Sequence, residues 1–306
     1  MRQFGPTVMA LLAGIAWLGI STTLIPAGKE ERALPIAGAT TLQGACGTAV
    51  MIARLPDVPE ASGLVVSRRA DDVLWTHNDS GRPLLYAVGT DGKPRGRVQV
   101  TGAQVDDWED IAAGPCPEGS CLFIADIGDN KESRNSITVY RVPEPSPTDP
   151  ATRPAVVVQA TYPEGPHDAE SLFVGPNGAL YVVTKGEGSP ISIYRVPPAT
   201  AGGTARLERV ATLDGEARRK QRITDADASP DGKWIALRTL ESVEFHRATA
   251  LLAGKVETIV EVDVSKIGEP QGEGIALLND GTVYLAGEAG DGTRGGTLAR
   301  LSCKLP

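Results

Sequence analysis

Glu170-Ser171-Leu172-Phe173-Val174 is followed by the turn Asn177-Gly178, by Ala179-Leu180-Tyr181-Val182-Val183 and, after a polar loop, by a third apolar run from Ile191 to Val196. Asn-Gly between two apolar runs is the strongest short-range hairpin signal. The stretch therefore reads as consecutive antiparallel strands.

The same unit recurs along the chain. Its first strands begin at Ser62, Glu109, Glu170, Thr224 and Glu273, so the spacings are 47, 61, 54 and 49 residues. Second strands follow at Asp72 to Thr76, Cys121 to Ala125, Ala179 to Val183, Trp234 to Leu237 and Thr282 to Ala286. Third strands are Leu84 to Val88, Ile137 to Val142, Ile191 to Val196, Val243 to His246 and Thr297 to Leu301, two of them ending in Tyr-Arg-Val. More polar fourth strands fit at Arg97 to Val100, Ala155 to Tyr162, Arg206 to Leu213 and Val256 to Val262. A repeated four-stranded meander with its most polar strand outside is a propeller blade. The expected fold is all-β, a single β-propeller of five four-stranded blades. A sixth blade is the alternative if Pro143 to Arg153 hides strands.

The fifth unit lacks a fourth strand, and Ala49 to Leu55 precedes the first unit without a partner. The N-terminal strand is thus expected to complete the last blade, removing the ring's open edges. Four cysteines allow three pairings. Cys116 and Cys121 flank a turn, which leaves Cys46 and Cys303 to join the two ends, with Cα atoms about 4.4–6.8 Å apart.

The chain has 306 residues, with 35 glycines, 23 prolines and a formal charge of -8. An acidic balance argues against a general grip on nucleic acid or an anionic membrane and favours cations. Met1-Arg2-Gln3 and the uncharged run Val8 to Ile20 form the layout of a signal peptide. Residues 1–28 are expected to be a signal peptide or an N-terminal membrane anchor, 29–45 a linker and 46–303 the propeller. The protein is expected to be exported, periplasmic or secreted, and monomeric. Its expected partner is a small ligand or a cell-envelope protein. The cysteines suit disulfides rather than zinc, since Cys-x-x-Cys is absent and the histidines are scattered.

In a meander, the start of the first strand and the end of the second share a face. First strands line the axis, so Glu109, Glu170 and Glu273 should converge on one mouth of the channel. Converging carboxylates repel unless a cation joins them, and calcium accepts about six to eight oxygens without strict geometry. Calcium is the expected cofactor, held by Glu109, Glu170 and Glu273 with Asp126 and Asp129 in support. Arg238 reads as the one cation on the same face, able to neutralise a carboxylate or hold an anion. The bland alternative is that acids at strand heads cap backbone N–H groups of the neighbouring blade. Trp75 and Trp234 read as blade packing, whereas Trp108 stands beside Glu109 at the mouth. His77 and His167 fall on the acid face as acid/base groups or as structural partners.

His77-Asn78-Asp79-Ser80-Gly81, Trp108-Glu109-Asp110-Ile111-Ala112, Asp126-Ile127-Gly128-Asp129-Asn130, Glu170-Ser171-Leu172 and Glu273-Gly274-Ile275-Ala276 resemble secreted bacterial propellers of the SdiA-regulated group. More distantly the chain is similar to NHL-type and phytase-like esterase propellers. The resemblance implies a calcium site near the acid-bearing face, although Ser62 and Thr224 stand where two further acids would complete a ring. Two functions are expected as alternatives. One is a calcium-binding propeller presenting its acidic face to a ligand or partner. The other is a metal-dependent hydrolase of a phosphoester, ester or lactone, with His77 or Asp79 as proton acceptor and Arg238 steadying the anion.

Overall fold

Strands that are apolar on both sides need a partner on each face, and short turns allow only antiparallel neighbours; a ring of radially stacked meanders meets both demands. The structure is a computed structural model and describes residues 44–198, 203–216, 221–290 and 295–306. The expected signal peptide or anchor, and nearly all of the linker, lie outside the described residues. Among the described residues, no helix is long and apolar enough to cross a membrane.

The chain opens with β1 (Val50–Leu55). The first blade is β2 (Ala61–Val66), β3 (Val73–Asn78), β4 (Leu84–Gly89) and β5 (Pro94–Gln99). The second is β6 (Trp108–Cys116), β7 (Gly119–Asp126), β8 (Ile137–Pro143) and β9 (Val156–Thr161). The third is β10 (Ala169–Val174), β11 (Leu180–Thr184) and β12 (Pro190–Val196); β13 (Thr204–Arg206) then leads to its outer strand β14 (Glu208–Glu216). The fourth is β15 (Ile223–Ala228), β16 (Trp234–Thr239) and β17 (Ser242–Arg247), then the single turn α1 (Ala248–Leu251) and β18 (Val260–Asp263). The fifth is β19 (Gln271–Leu277), β20 (Thr282–Glu288) and β21 (Gly296–Ser302), completed by β1 in the order β1-β21-β20-β19.

The five-bladed ring and its closure by the N-terminal strand are therefore as the repeat implies. Pro143 to Arg153 adds no sixth blade: Ala151 forms one parallel bridge to Gln99 on the outer strand of the first blade. The expected fourth strand Arg206 to Leu213 is corrected. It straddles β13, which pairs in parallel with β9 of the second blade, and β14, which pairs with β12 of the third. Both disulfides form. Cys46 and Cys303 bridge with Cα atoms 3.9 Å apart, closer than expected, because the two residues are also direct partners in an antiparallel bridge. Cys116 and Cys121 clamp the β6–β7 hairpin at 5.8 Å. Such bridges belong to an oxidising compartment.

The core is divided into five clusters, one in each gap between neighbouring blades. Trp75, Leu85 and Val98 of the first blade meet Trp108, Ile111 and Ile124 of the second. Phe173 and Ile193 of the third meet Leu237 and Ala226 of the fourth. The seam is closed in the same way, by Leu55, Ala286 and Leu298 against Leu64 and Leu74. Truncating a fully buried anchor such as Trp75 to alanine costs about 3–5 kcal/mol by this kind of packing loss.

Candidate functional site: the acidic mouth

The innermost strands touch in sequence around the axis, β2 to β6, β10, β15, β19 and back to β2. In every blade the pairing of first and second strands shifts register near the head of the first strand. The shifts fall at Ala61/Leu64, Trp108/Asp110, Ala169/Ser171, Ile223/Asp225 and Gly272/Ile275. A bulge inserts an unpaired residue and re-aims side chains. The inserted positions hold the repeat's own head residues: Ser62, Glu109, Glu170, Thr224 and Glu273.

Just past the bulges, acids cap the next blade. Asp110 Oδ2 accepts from Leu172 N at 2.6 Å and from Ser171 Oγ at 3.1 Å. Asp225 Oδ2 accepts from Ile275 N at 2.5 Å, and Asp227 Oδ2 from Leu277 N at 2.9 Å. The capping alternative is thus realised one to three residues beyond the head position, by Asp110, Asp225 and Asp227. Burial raises both Asp110 and Asp225, and each carboxylate also feels the other. Gly63 is required here, since a Cβ on it would lie 2.6 Å from the Asp110 backbone.

The head acids face the mouth. Burial, then Glu170 and Asp107, raise Glu109 well above the usual carboxylate range. Burial pushes Glu170 up to about 7 against the pull of Lys185. Burial, Glu170 and Glu288 push Glu273 up to about 8. Glu170 thus lies near enough to act on both Glu109 and Glu273, and Glu170 and Glu273 line one cleft. Asp107 joins them: a Cβ on Gly128 would fall 2.3 Å from Glu109 Oε1 and 2.4 Å from Asp107 Oδ2, so only glycine lets the two carboxylates meet there. A cleft of about 180 Å³ opens beside them, lined by Glu170, Lys185, Arg222, Thr224, Gln271 and Glu273. At the first and fifth blades, burial, a hydrogen bond with Glu60 and the charges of Glu60 and Glu288 push Asp79 up to about 7.

Lys185 is the cation among these acids. Its Nζ lies 2.5 Å from Glu170 Oε1, 3.2 Å from Asp168 Oδ2 and 3.3 Å from Asn130 Oδ1. Burial lowers its pKa, but Glu170, Asp168 and Glu109 outweigh burial and hold the ammonium above its ordinary value. Sequence reasoning missed it, although Lys185-Gly186-Glu187 ends a second strand on the acid face.

Arg238 neutralises a carboxylate, that of Glu269. It is 0% exposed and spans two blades, donating to Gly274 O, Ala286 O and Glu269 Oε2, while its Nε has no hydrogen-bond partner. His77 is likewise buried, its Nδ1 against Asn78 O and its ring edge-on to Trp108, and burial pushes it down to about 4. Trp108 is a packing residue with Nε1 donating to Gln104 O at 2.8 Å. His167 sits against Tyr162 and Tyr194, with Nδ1 3.8 Å from Glu132. Asp126 and Asp129 brace their own loop rather than joining the three glutamates. Asp126 accepts from Asp106 N and Arg134 Nη2, and Asp129 from Arg134 N.

The donors suit a hard cation in kind, being carboxylates with an asparagine amide and no thiol or imidazole. Among the described residues no three carboxylates bring an oxygen each within 4.8 Å of one another; the one such trio is Cys116, Glu118 and Cys121, whose sulfurs are bonded together.

No family model matches the chain, and a search of curated proteins finds no match. Among solved structures it is similar to a PQQ-bound aldose sugar dehydrogenase from Streptomyces coelicolor, at 11% identity over 83% of this chain and 98% of that one, TM-score 0.49. It is also similar to a gluconolactonase from Xanthomonas campestris, at 11% identity over 84% and 95%, TM-score 0.48. A streptogramin B lyase is similar at 12% identity over 84% and 97%, TM-score 0.44. Likenesses of this grade say nothing of activity, and the propeller assignment stands on the sheet order.

Proposed function

We propose that this chain is an exported propeller that binds a cation, calcium by preference, at its acidic mouth. It presents that face to a small ligand or a cell-envelope partner, in the manner of the SdiA-regulated propellers its motifs resemble. The observation that carries the reading is the crowding of carboxylates: Glu109 and Asp107 meet over Gly128, and Glu170 and Asp168 share Lys185. Burial and mutual repulsion exceed what Lys185 neutralises, and a divalent cation would relieve the remainder. Asp107, Glu109, Asp168 and Glu170 are the residues that would hold it.

Thermal melts with calcium and with chelator at pH 5 and pH 8 test this. Calcium is expected to raise the melting temperature, and more at pH 8, where protons compete less for the carboxylates. Melts indifferent to both additions, with no metal found in the purified protein, overturn it.

A hydrolase reading retains one supporting observation. Asp79 is pushed up to about 7, where a carboxylate can accept a proton at neutral pH. His77 and Arg238 no longer serve it, being buried. Phosphoester, ester and lactone substrates assayed on the native protein, Asp79→Asn and Glu109→Gln decide the matter. Activity that is missing, or indifferent to both substitutions, removes the hydrolase.

A further inference from the structure

β2 and β6 both run away from the mouth, as their registers require: Ala61 pairs with Asn78 and Val66 with Leu74, while Trp108 pairs with Asp126 and Cys116 with Gly119. The turn after β2, the β6–β7 hairpin and the segment after β8 therefore meet on the opposite face. There they enclose a cleft of about 750 Å³ between the first and second blades. Arg68, Arg69 and Arg153 line it, with Pro115, Pro143 and Pro145 as apolar wall.

The base of the cleft is built around Glu144, which is 3% exposed. Its carboxylate accepts from Ser67 Oγ at 2.5 Å, Trp75 Nε1 at 3.1 Å, Ser120 Oγ at 2.7 Å and Arg68 N at 3.3 Å. Ser67 Oγ in turn accepts from Arg69 N and Ala70 N, so the arginine-bearing turn is pinned. Each of the two side chains is then oriented by a carbonyl: Arg68 Nε donates to Ala113 O at 2.9 Å, and Arg69 Nη1 to Glu144 O at 2.5 Å. Among the described residues none of the three arginines makes a side-chain ion pair, and Arg153, whose carbonyl accepts from Thr152 Oγ1, makes no side-chain hydrogen bond. The other acids of the lining are turned elsewhere. Glu118 lies 3.9 Å from Arg141, and Asp149 Oδ2 accepts from Ser146 N at 2.8 Å.

A guanidinium held by a carbonyl keeps its full charge and its remaining N–H donors. Because it is already oriented, little rotamer freedom is lost when an oxyanion arrives. Two such groups on one pinned turn, facing a third across the cleft, present forked donors to a phosphate or carboxylate. We propose that this cleft is an anion site, taking a small molecule that bears a phosphate or carboxylate and rests its body on the three prolines. It is separate from the mouth in place and opposite in charge preference.

Calorimetric titration with inorganic phosphate and with citrate tests the proposal and tells the two oxyanions apart. Saturable binding of at least one is expected, weakening with added salt. Arg69→Gln and Arg153→Gln are each expected to weaken it by about tenfold, the effect of losing one charge-assisted hydrogen bond. Arg153→Gln removes no contact of the fold, so its binding loss reads free of unfolding; a melt checks both variants. Arg300→Gln, an exposed arginine on β21, is expected to leave binding unchanged. Absence of saturable binding by either anion overturns the site, as do arginine variants that bind like the native protein or an Arg300→Gln loss as large as theirs.

Discussion

The mouth and the arginine cleft handle buried charge in opposite ways. At the mouth Glu109, Glu170 and Glu273 stand near one another with Lys185 as partner, and burial drives their pKa values upward. At the cleft a single carboxylate, Glu144, is satisfied by four donors, and the charges left over are guanidiniums fixed on carbonyl oxygens. A buried ion with a complete hydrogen-bond set belongs to the fold, whereas ions that repel one another are poised for a ligand. The same ring thus carries a structural carboxylate on one face and a set of mutually repelling ones on the other.

Opening the ring is the largest way to break this contrast, since both faces depend on closure. Replacing Cys46 and Cys303 with serine removes a bridge of sequence separation 257. By the chain-entropy estimate it lowers the unfolding free energy by about 5 kcal/mol. Urea unfolding reads this, and an unchanged midpoint would show that β1 closes the ring without the bridge. Replacing Cys116 and Cys121 is expected to cost roughly half as much, because the loop is short.

Next in size is the removal of Glu144. Glu144→Ala strands Trp75 Nε1, Ser67 Oγ and Ser120 Oγ and is expected to cost about 3 kcal/mol or more. Glu273→Gln at the mouth should do the reverse at pH 8, raising the melting temperature, because glutamine resembles the protonated acid that burial favours there. A Glu144→Ala variant as stable as the native protein, or a Glu273→Gln variant less stable at pH 8 than the native one, would erase the distinction between the faces.

The last contrast is the pH dependence of the mouth itself. Glu170 and Glu273 have folded pKa values of about 7 and about 8, above their ordinary value. The folded state therefore binds protons more tightly, and its stabilisation by these groups is complete at low pH and lost as pH rises through about 7 to 8. Melts from pH 4 to pH 8 should fall along this limb, more steeply in Lys185→Met, where Glu170 loses its ammonium. A flat profile in both proteins would mean that solvent reaches the mouth and screens it.

Much of the fold was legible along the chain because blades repeat. Asn177-Gly178 and its counterparts set the hairpins, and an unpaired first strand with an incomplete last blade leaves one way to close. The shared position of Glu109, Glu170 and Glu273 was legible for the same reason. The role of Lys185 is hidden in the sequence, because a strand-end residue can turn toward the channel or away, and only its neighbours from other segments, Glu170, Asp168 and Asn130, settle which. Arg238 occupies the corresponding end of its own blade, yet it folds inward because Glu269 and two carbonyls of the next blade meet it there. Glu144 lay in a segment read as loop, with nothing in its neighbours to announce Trp75 and Ser67 as partners from another blade.

Blade number, ring closure and both disulfides were determined by the sequence alone, since each follows from local periodicity repeated around an axis. The protonation bias of the acids at the mouth, the burial of His77 and Arg238 and the arginine cleft were decided only by the tertiary structure. The reason is that burial and hydrogen-bond partnership are set between blades. The residues that meet there, such as Asp110 with Leu172 or Glu144 with Ser67, are far apart in the chain, and no pattern within one blade encodes their meeting.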